Sequence, residues 1–447
     1  MQIVIKKKKI AKNSVLFCMT LVLCFMLLEA GFRIFAPQPL YDKCTPAHPQ
    51  GIGRLSMSDN LLGHTTRPNL QGCLYQPDTN KKIKITTNNK GQRTKQEYAY
   101  KKPQNTTRIL LFGDSFILAD MLDDTQTFQV KLQEEIEKIL KQKYKNPPAI
   151  EVIPFGMGSY GTQQSYLTYF TEGKKYEFDV ALYLFYQNDV TDSFISSETN
   201  YPRPVMKVSE QKAEFATARQ VFEGEKTKDN QQPFALFFNE QNVPIPHPSW
   251  HKRFFLAHSH LFSFADRTIA HRQSAKEEKD SEFNRLVSKV ALMDDQLIRL
   301  EMKKRPKMQE MIPQVSAIIG TFNYEVKKAN AQFVLINIPS VYQAQTRFRQ
   351  RIVEGVKQAK NLPEELEYMR TKNEENLFGA PRKNVFLDGT AERYDIPYID
   401  LLPIAEKYEN TFYFKTDDHW SPVGAAVSAQ YVAKKLDALK LLSHNSG

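Results

Sequence analysis

The chain has 447 residues, 41% of them hydrophobic and 25% charged, enough apolar material to fill one large core or two smaller ones and too much for a disordered chain. Its formal charge of +11 is inflated by Lys6, Lys7, Lys8, Lys9 and Lys12, which stand near the start with no acid among them; without those five the rest carries about +6, mildly basic for this size. No aromatic-and-basic stripe and no nucleic-acid motif accompanies the charge, which argues against nucleic acid as a partner.

The lysine cluster (1–13) is followed by an apolar run from Ser14 to Leu28 and a mixed stretch from Glu29 to Phe35. Together they reach the roughly twenty residues a membrane span needs, with Glu29 and Arg33 four apart at its outer edge. No A-x-A cleavage pattern follows, and neither Cys18 nor Cys24 is preceded by the small residue that lipoprotein processing requires. An uncleaved signal anchor over 14–35 is therefore favoured over a cleaved signal peptide. The positive-inside rule keeps the lysines cytoplasmic and puts everything after about residue 36 outside, a topology that suits a single-pass protein of a bacterial inner membrane facing the periplasm. Cys44 and Cys73, just beyond the span, are candidates for a disulfide, worth about 3 to 4 kcal/mol in an oxidising compartment. Two unpaired thiols are the alternative, because sequence does not set their separation.

After a polar stretch from Ala36 to about Pro77, apolar runs alternate with helical patterns, which predicts a parallel α/β sheet. The run Arg108 to Phe112 reads as a strand ending in Gly113. Thr125 starts a helix with Phe128, Leu132, Ile136, Ile139 and Leu140 on one face, ended by Pro147 and Pro148. Ile150 to Phe155 and Asp179 to Tyr186 read as the next strands. From Ser193 to Pro313 the periodicity weakens, as expected of an inserted, mostly helical segment that could cap a site. Regular alternation resumes with a helix before Ala331, strands at Phe333 to Ile338 and Ile396 to Ile399, and a last helix capped by Ser421 with Pro422 in its first turn. The expected parts are a linker and N-terminal extension (36–107), a sheet domain in two pieces (108–192 and 314–440) and the insertion (193–313).

Chemistry concentrates where strands end. The segment Leu110 to Phe116 carries a buried-type strand into Gly113-Asp114-Ser115, delivering a serine to the sheet edge where α/β proteins bind ligands. Alone, such a turn is more often a helix cap. At the other end of the chain, Asp417-Asp418-His419-Trp420 offers a base. On an extended segment Asp417 and His419 point to one side, so the carboxylate can hold the Nδ1 proton and leave Nε2 for a serine. The second strand leads into Phe155-Gly156-Met157-Gly158 and the third into Gln187-Asn188-Asp189, a backbone N–H and a side-chain amide suited to an oxyanion hole. Asp114 and Asp189 are expected to hold their loops through side-chain to backbone bonds. His247, His251, His258 and His260 form a loose group, but Pro248 breaks their helical spacing and no cysteine or glutamate completes a metal site. No metal and no cofactor is expected, and the Gly-x-Ser-x-Gly elbow of the α/β-hydrolases is absent.

Taken together these blocks resemble the SGNH, or GDSL, hydrolase superfamily, named for a Ser, a Gly, an Asn and a His on a flavodoxin-like sheet of about five strands with helices on both faces. Gly113-Asp114-Ser115 matches its first block, Gly156 its second, Asn188-Asp189 its third, and Asp417-x-His419 its last. The resemblance implies Ser115 as nucleophile, His419 as base oriented by Asp417, and Gly156 and Asn188 as oxyanion donors beside the Ser115 N–H. Upstream, Asn88 to Arg93 and Leu62 to Asn69 resemble the Asn-Ser-x-Gly-Phe-Arg and Leu-Gly-x-x-x-x-Pro-Asn stretches of membrane-anchored bacterial members. Ile117 and Ala119 depart from Gly-Asp-Ser-Phe-Thr-x-Gly and predict a more apolar, tighter pocket floor. The Asp-x-His spacing followed by Trp420 resembles O-acetyltransferases of the alginate type. The implied function is a serine esterase acting on acyl or acetyl esters of envelope or extracellular glycans or lipids. The alternatives are an O-acetyltransferase modifying a polysaccharide, or a non-catalytic glycan-binding or assembly protein on the same fold.

Overall fold

The structure, a computed structural model, describes residues 2–35, 55–59, 61–76, 78–193, 205–208, 235–238, 306–347, 384–415 and 417–442, with three isolated positions between 350 and 357. The chain divides into two compact units. One contains helix α1 (Gln2–Phe35), in which Leu16–Phe35 has a mean hydropathy of 1.9 and is long enough to cross a membrane. Near its end Arg33 Nε donates to Glu29 Oε1 at 2.8 Å, the i,i+4 pair expected there. Cys18 and Cys24 are free and exposed on this helix, Cys73 is engaged in a disulfide, and Cys44 lies outside the described residues.

The other unit holds the sheet. In chain order its elements are β1 (Thr106–Gly113), α2 (Ser115–Leu118), α3 (Phe128–Lys143), β2 (Ala149–Gly156), α4 (Thr162–Thr171), β3 (Val180–Phe185), α5 (Pro306–Lys328), β4 (Gln332–Asn337), β5 (Tyr398–Asp400) and α6 (Pro422–Ala438). The strands run in the spatial order β2-β1-β3-β4-β5 and all neighbours are parallel. This is the flavodoxin-like order expected from the sequence, whose direction of growth reverses between β1 and β3 and opens a crevice at the carboxyl ends of those strands.

Continuous apolar runs form these strands because both sheet faces are covered. Alternate residues of β1 go to opposite faces. Ile109 and Leu111 join a core with α3 and α6, while Leu110 and Phe112 join a core with α4 and α5. On the second face the Phe322 ring sits 5.2 Å from Phe112 and 4.8 Å from Phe333, and truncating such a buried phenylalanine to alanine costs about 3 to 5 kcal/mol. One charge is built into β1: Arg108 is fully buried, donates to Glu151 Oε2 at 2.7 Å on the paired strand, and donates to the Tyr100 and Glu177 carbonyls at 3.0 Å each.

Within the expected insertion, the described residues comprise Ser193, an antiparallel pair of short strands, Val205–Val208 with Ala235–Phe238, and the first turns of α5. Helix α5 carries Pro313 inside it and so runs across the boundary expected at that residue. The four histidines from His247 to His260 lie outside the described residues.

Candidate active site

Strand β1 delivers the serine turn to the crevice. Asp114, 1% exposed, caps α2 by accepting from the Phe116 amide at 3.0 Å, and its other oxygen lies 3.4 Å from Ser115 Oγ. Burial pushes its pKa up to about 6, against the amide bond that favours the carboxylate. The turn fits because two strand ends lack a Cβ. A Cβ on Gly113 would lie 2.7 Å from Ile117 Cγ1, and one on Gly156 would lie 2.4 Å from Ile117 Cβ and 2.8 Å from the Leu118 nitrogen. Ile117 and Ala119 are both buried, and Ala119, but not Ile117, lines the small cleft at Ser115. Ala119 ends α2 with φ 51° and ψ 45°, a left-handed backbone that costs a non-glycine residue roughly 1–2 kcal/mol; the resembling proteins place glycine there.

The histidine is held by a closed loop between β5 and α6. Tyr413 and Trp420 form an antiparallel bridge, the Phe414 amide donates to the His419 carbonyl at 3.0 Å, and the Ser421 amide donates to the Phe412 carbonyl at 2.9 Å. Ser421 Oγ accepts from the Val423 and Gly424 amides at 3.1 Å each, capping α6 as expected. Trp420, 2% exposed, anchors the loop against Phe116 and Phe128 at centroid distances of 5.0 and 5.2 Å.

Within that loop His419 Nε2 stands 2.7 Å from Ser115 Oγ, and Asp417 Oδ1 bonds both the His419 Nδ1 and, at 2.8 Å, the His419 amide. The expected pairing forms, but through a bend and not an extended segment: the carboxylate turns back onto its own backbone two residues on. Burial disfavours the imidazolium, yet the bond to and charge of Asp417, with Asp120 and Asp418 behind it, hold His419 up to about 9. For Asp417, burial opposes ionisation but the bond to His419 and its charge outweigh it and lower the pKa. Asp418 accepts from Tyr186 Oη at 3.2 Å, tying the loop to the end of β3.

Gly156 ends β2 and Asn188 follows β3 by three residues, beyond the two strands that flank β1. Asn188 starts a short helix, Asp189–Asp192, and its Nδ2 donates to Asp192 Oδ2 at 2.8 Å, leaving one amide proton uncommitted by that bond. Asp189 accepts from Tyr183 Oη at 2.7 Å and the Tyr186 amide at 3.4 Å, and burial pushes its pKa well above the usual carboxylate range. Both aspartates adjoining the site thus hold loops, as expected. Asp120 was not foreseen: it lines a cleft of about 10 Å³ with Ser115, Ala119, His419 and Trp420. Asp192 was not foreseen either, although its i,i+4 spacing from Asn188 signals the contact once a helix is placed there. Donor atoms of Asp417, Asp418 and His419 lie within 4.8 Å of one another, but both ring nitrogens of His419 are already committed, to Asp417 and to Ser115.

Residues 360–446, which include Asp417 and His419, match the family described as the SGNH hydrolase-like domain of acetyltransferase AlgX. No curated protein matches the chain. Among solved structures, a lipase/acylhydrolase from Enterococcus faecalis is similar at 10% identity over 74% of this chain and 96% of that one, with a TM-score of 0.33. The acetyl xylan esterase AlAXEase is similar at 10% identity over 74% and 98%, with a TM-score of 0.32.

Proposed function

We infer that this chain, SGNH-like in its sheet and in the match of its C-terminal segment, is a serine-dependent enzyme acting on acyl esters. The observation that carries the reading is the 2.7 Å contact from His419 Nε2 to Ser115 Oγ, with Asp417 on the far side of the ring. Ser115 Oγ forms a bond to the ester carbonyl carbon as its proton passes to His419 Nε2. The tetrahedral oxyanion is stabilised by the N–H groups of Ser115 and Gly156 and the Asn188 amide. Collapse breaks the ester C–O bond, the leaving alkoxide takes the proton from His419, and an acyl-serine remains. Water, deprotonated by His419, then attacks the acyl carbon, releases the acid and returns the proton to Ser115.

A sugar hydroxyl in place of that water makes the same site an O-acetyltransferase, a reading favoured by the acetyltransferase family matched over 360–446. The substrates would be acyl or acetyl esters of envelope or extracellular glycans or lipids. With Leu16–Phe35 as a single-pass anchor in a bacterial inner membrane, the site would face the periplasm, where Cys44 would pair with Cys73.

The full chain in detergent should hydrolyse a chromogenic acetate ester, and Ser115→Ala should abolish the reaction. Equal turnover by the variant would sink the mechanism. Acetylated product on addition of oligosaccharide acceptors, read by mass spectrometry, would assign transfer over hydrolysis.

A further inference from the structure

A strand far upstream of the sheet reaches the loop that follows Gly156. In Gly63–Thr66, paired antiparallel with Ser56–Asp59, His64 is 1% exposed and its Nε2 lies 2.8 Å from the Gly158 carbonyl oxygen. A carbonyl only accepts, so Nε2 carries the proton and donates. The return bond runs from Tyr160 Oη to the His64 carbonyl at 2.7 Å, and the two rings pack edge to face with their centroids 5.4 Å apart.

What this pair holds is a turn under strain. The Tyr160 amide donates to the Met157 carbonyl at 3.1 Å, closing a four-residue turn in which Ser159, but not Gly158, has a positive φ, of 60°. That is the pattern of a type II turn, which normally places glycine third; a type I turn closes with the same bond and needs no positive φ. The two types differ by a flip of the central peptide, here the Gly158 carbonyl with the Ser159 amide. The Cβ of a serine disfavours the left-handed backbone, so the turn left to itself would flip and swing the Gly158 carbonyl away from His64. His64 thus donates to the one carbonyl whose direction sets the turn type.

The turn leads directly out of Gly156 and rests on the serine helix. A Cβ on Gly156 would press on Ile117 and the Leu118 nitrogen, and one on Gly158 would meet Leu118 Cδ2 at 3.8 Å. A change of turn type is therefore passed to the strand end whose N–H is proposed above as an oxyanion donor, and to the helix that begins at Ser115.

We propose that His64 is a positioning residue for the acyl-transfer site, fixing through the Gly158 carbonyl the turn that sets the Gly156 N–H. This rests on the acyl-ester reading for its effect on turnover, but not for its effect on the turn. In the full chain in detergent, His64→Phe keeps a ring against Tyr160 and removes the donor, whereas His64→Gln keeps an N–H at a reach similar to that of Nε2. On a small chromogenic acetate His64→Phe should lower kcat about tenfold, less than outright loss of an oxyanion donor, with KM little changed. His64→Gln should restore most of it. Ser159→Gly accepts the left-handed backbone without help, so in that background His64→Phe should cost about threefold or less. Amide exchange across residues 157–161, read by mass spectrometry, should quicken about fivefold or more in His64→Phe and return toward the parent in His64→Gln. Ser159→Val, branched at Cβ and poorly tolerated at positive φ, should reproduce the loss with His64 in place, and it carries the test if thermal melting shows His64→Phe to be unfolded. The proposal is overturned if His64→Phe leaves kcat or exchange unchanged, if His64→Gln is as slow as His64→Phe, or if Ser159→Gly fails to soften the loss, which would make His64 a packing residue only. A parent that hydrolyses no ester would overturn the acyl-ester reading, and the exchange measurements alone would then decide whether His64 holds the turn.

Discussion

Arg93 Nε donates to the Leu118 carbonyl at 3.1 Å, from a side chain 1% exposed. The same guanidinium reaches the Leu122 carbonyl at 2.9 Å and the Lys84 carbonyl at 3.1 Å, and pairs with Asp124. It thus clamps the backbone that leaves the serine helix, where Ala119 holds its left-handed turn. A lysine is a point donor and does not reproduce this fork. Arg93→Lys should lower stability by about 3 kcal/mol, the scale for leaving a buried carboxylate poorly compensated, and reduce ester turnover with it. An unchanged denaturant midpoint would refute the clamp.

At neutral pH His419 carries the extra proton, because Asp417 and its acidic neighbours outweigh burial and hold its pKa up to about 9. A general base must be neutral, so kcat/KM should climb about tenfold per pH unit through neutrality and level off near that value. Asp417→Asn removes the main support of the imidazolium; the plateau should move to lower pH while the rate drops by about 10⁴. A rate that falls between neutral pH and 9 contradicts the assignment. The sign for stability is the reverse. With a folded pKa above the ordinary 6.5, the His419 contribution is complete below the unfolded value and fades as pH rises through about 9.

Gly156→Ala separates packing from hydrogen bonding at the proposed oxyanion site. The alanine keeps the backbone N–H, but its Cβ would sit 2.4 Å from Ile117 Cβ and 2.8 Å from the Leu118 nitrogen, so the serine helix must move. Overpacking of this kind costs about 1–3 kcal/mol. The variant should melt lower and turn over slowly, whereas Gly158→Ala, whose Cβ meets Leu118 Cδ2 at an ordinary 3.8 Å, should stay close to the parent in both assays. Equal behaviour of the two variants would remove the close-approach argument.

The strands were legible because both faces of the sheet are buried, so each is an unbroken apolar run ending in a turn residue. The Ser421-Pro422 cap was legible because it is local chemistry. What the sequence hid is long-range or depends on an exact turn. Arg93 stood out only through its resemblance to a bacterial motif, since its partners Lys84, Leu118, Leu122 and Asp124 accept through backbone or from a loop that no periodicity marks. The tie from Tyr186 to Asp418 joins residues 232 apart. The extended Asp417–His419 segment was expected from strand alternation, and a side-chain bond to the His419 amide bends it instead.

Asn188 supplies the sharpest test of the oxyanion assignment, because its amide is already half committed. One Nδ2 proton goes to Asp192 at 2.8 Å, which fixes the amide plane and identifies Nδ2 as the atom facing that carboxylate; the reversed amide would set two acceptors against each other. The second proton is the one available to a developing negative charge. Asn188→Ala should lower kcat on a small acetate ester by about 10² to 10³ with little change in KM, the pattern of an interaction made only in the transition state. Asn188→Asp keeps the shape but replaces the donor with an acceptor, next to Asp192 and to the forming oxyanion, and should be at least as slow as alanine. Asp192→Ala leaves the amide in place and removes its support, so its loss should be smaller than that of Asn188→Ala and again fall on kcat. If Asn188→Ala retains the parent kcat, the third block of the site serves to hold the loop after β3, and the oxyanion is left to the backbone N–H groups of Ser115 and Gly156.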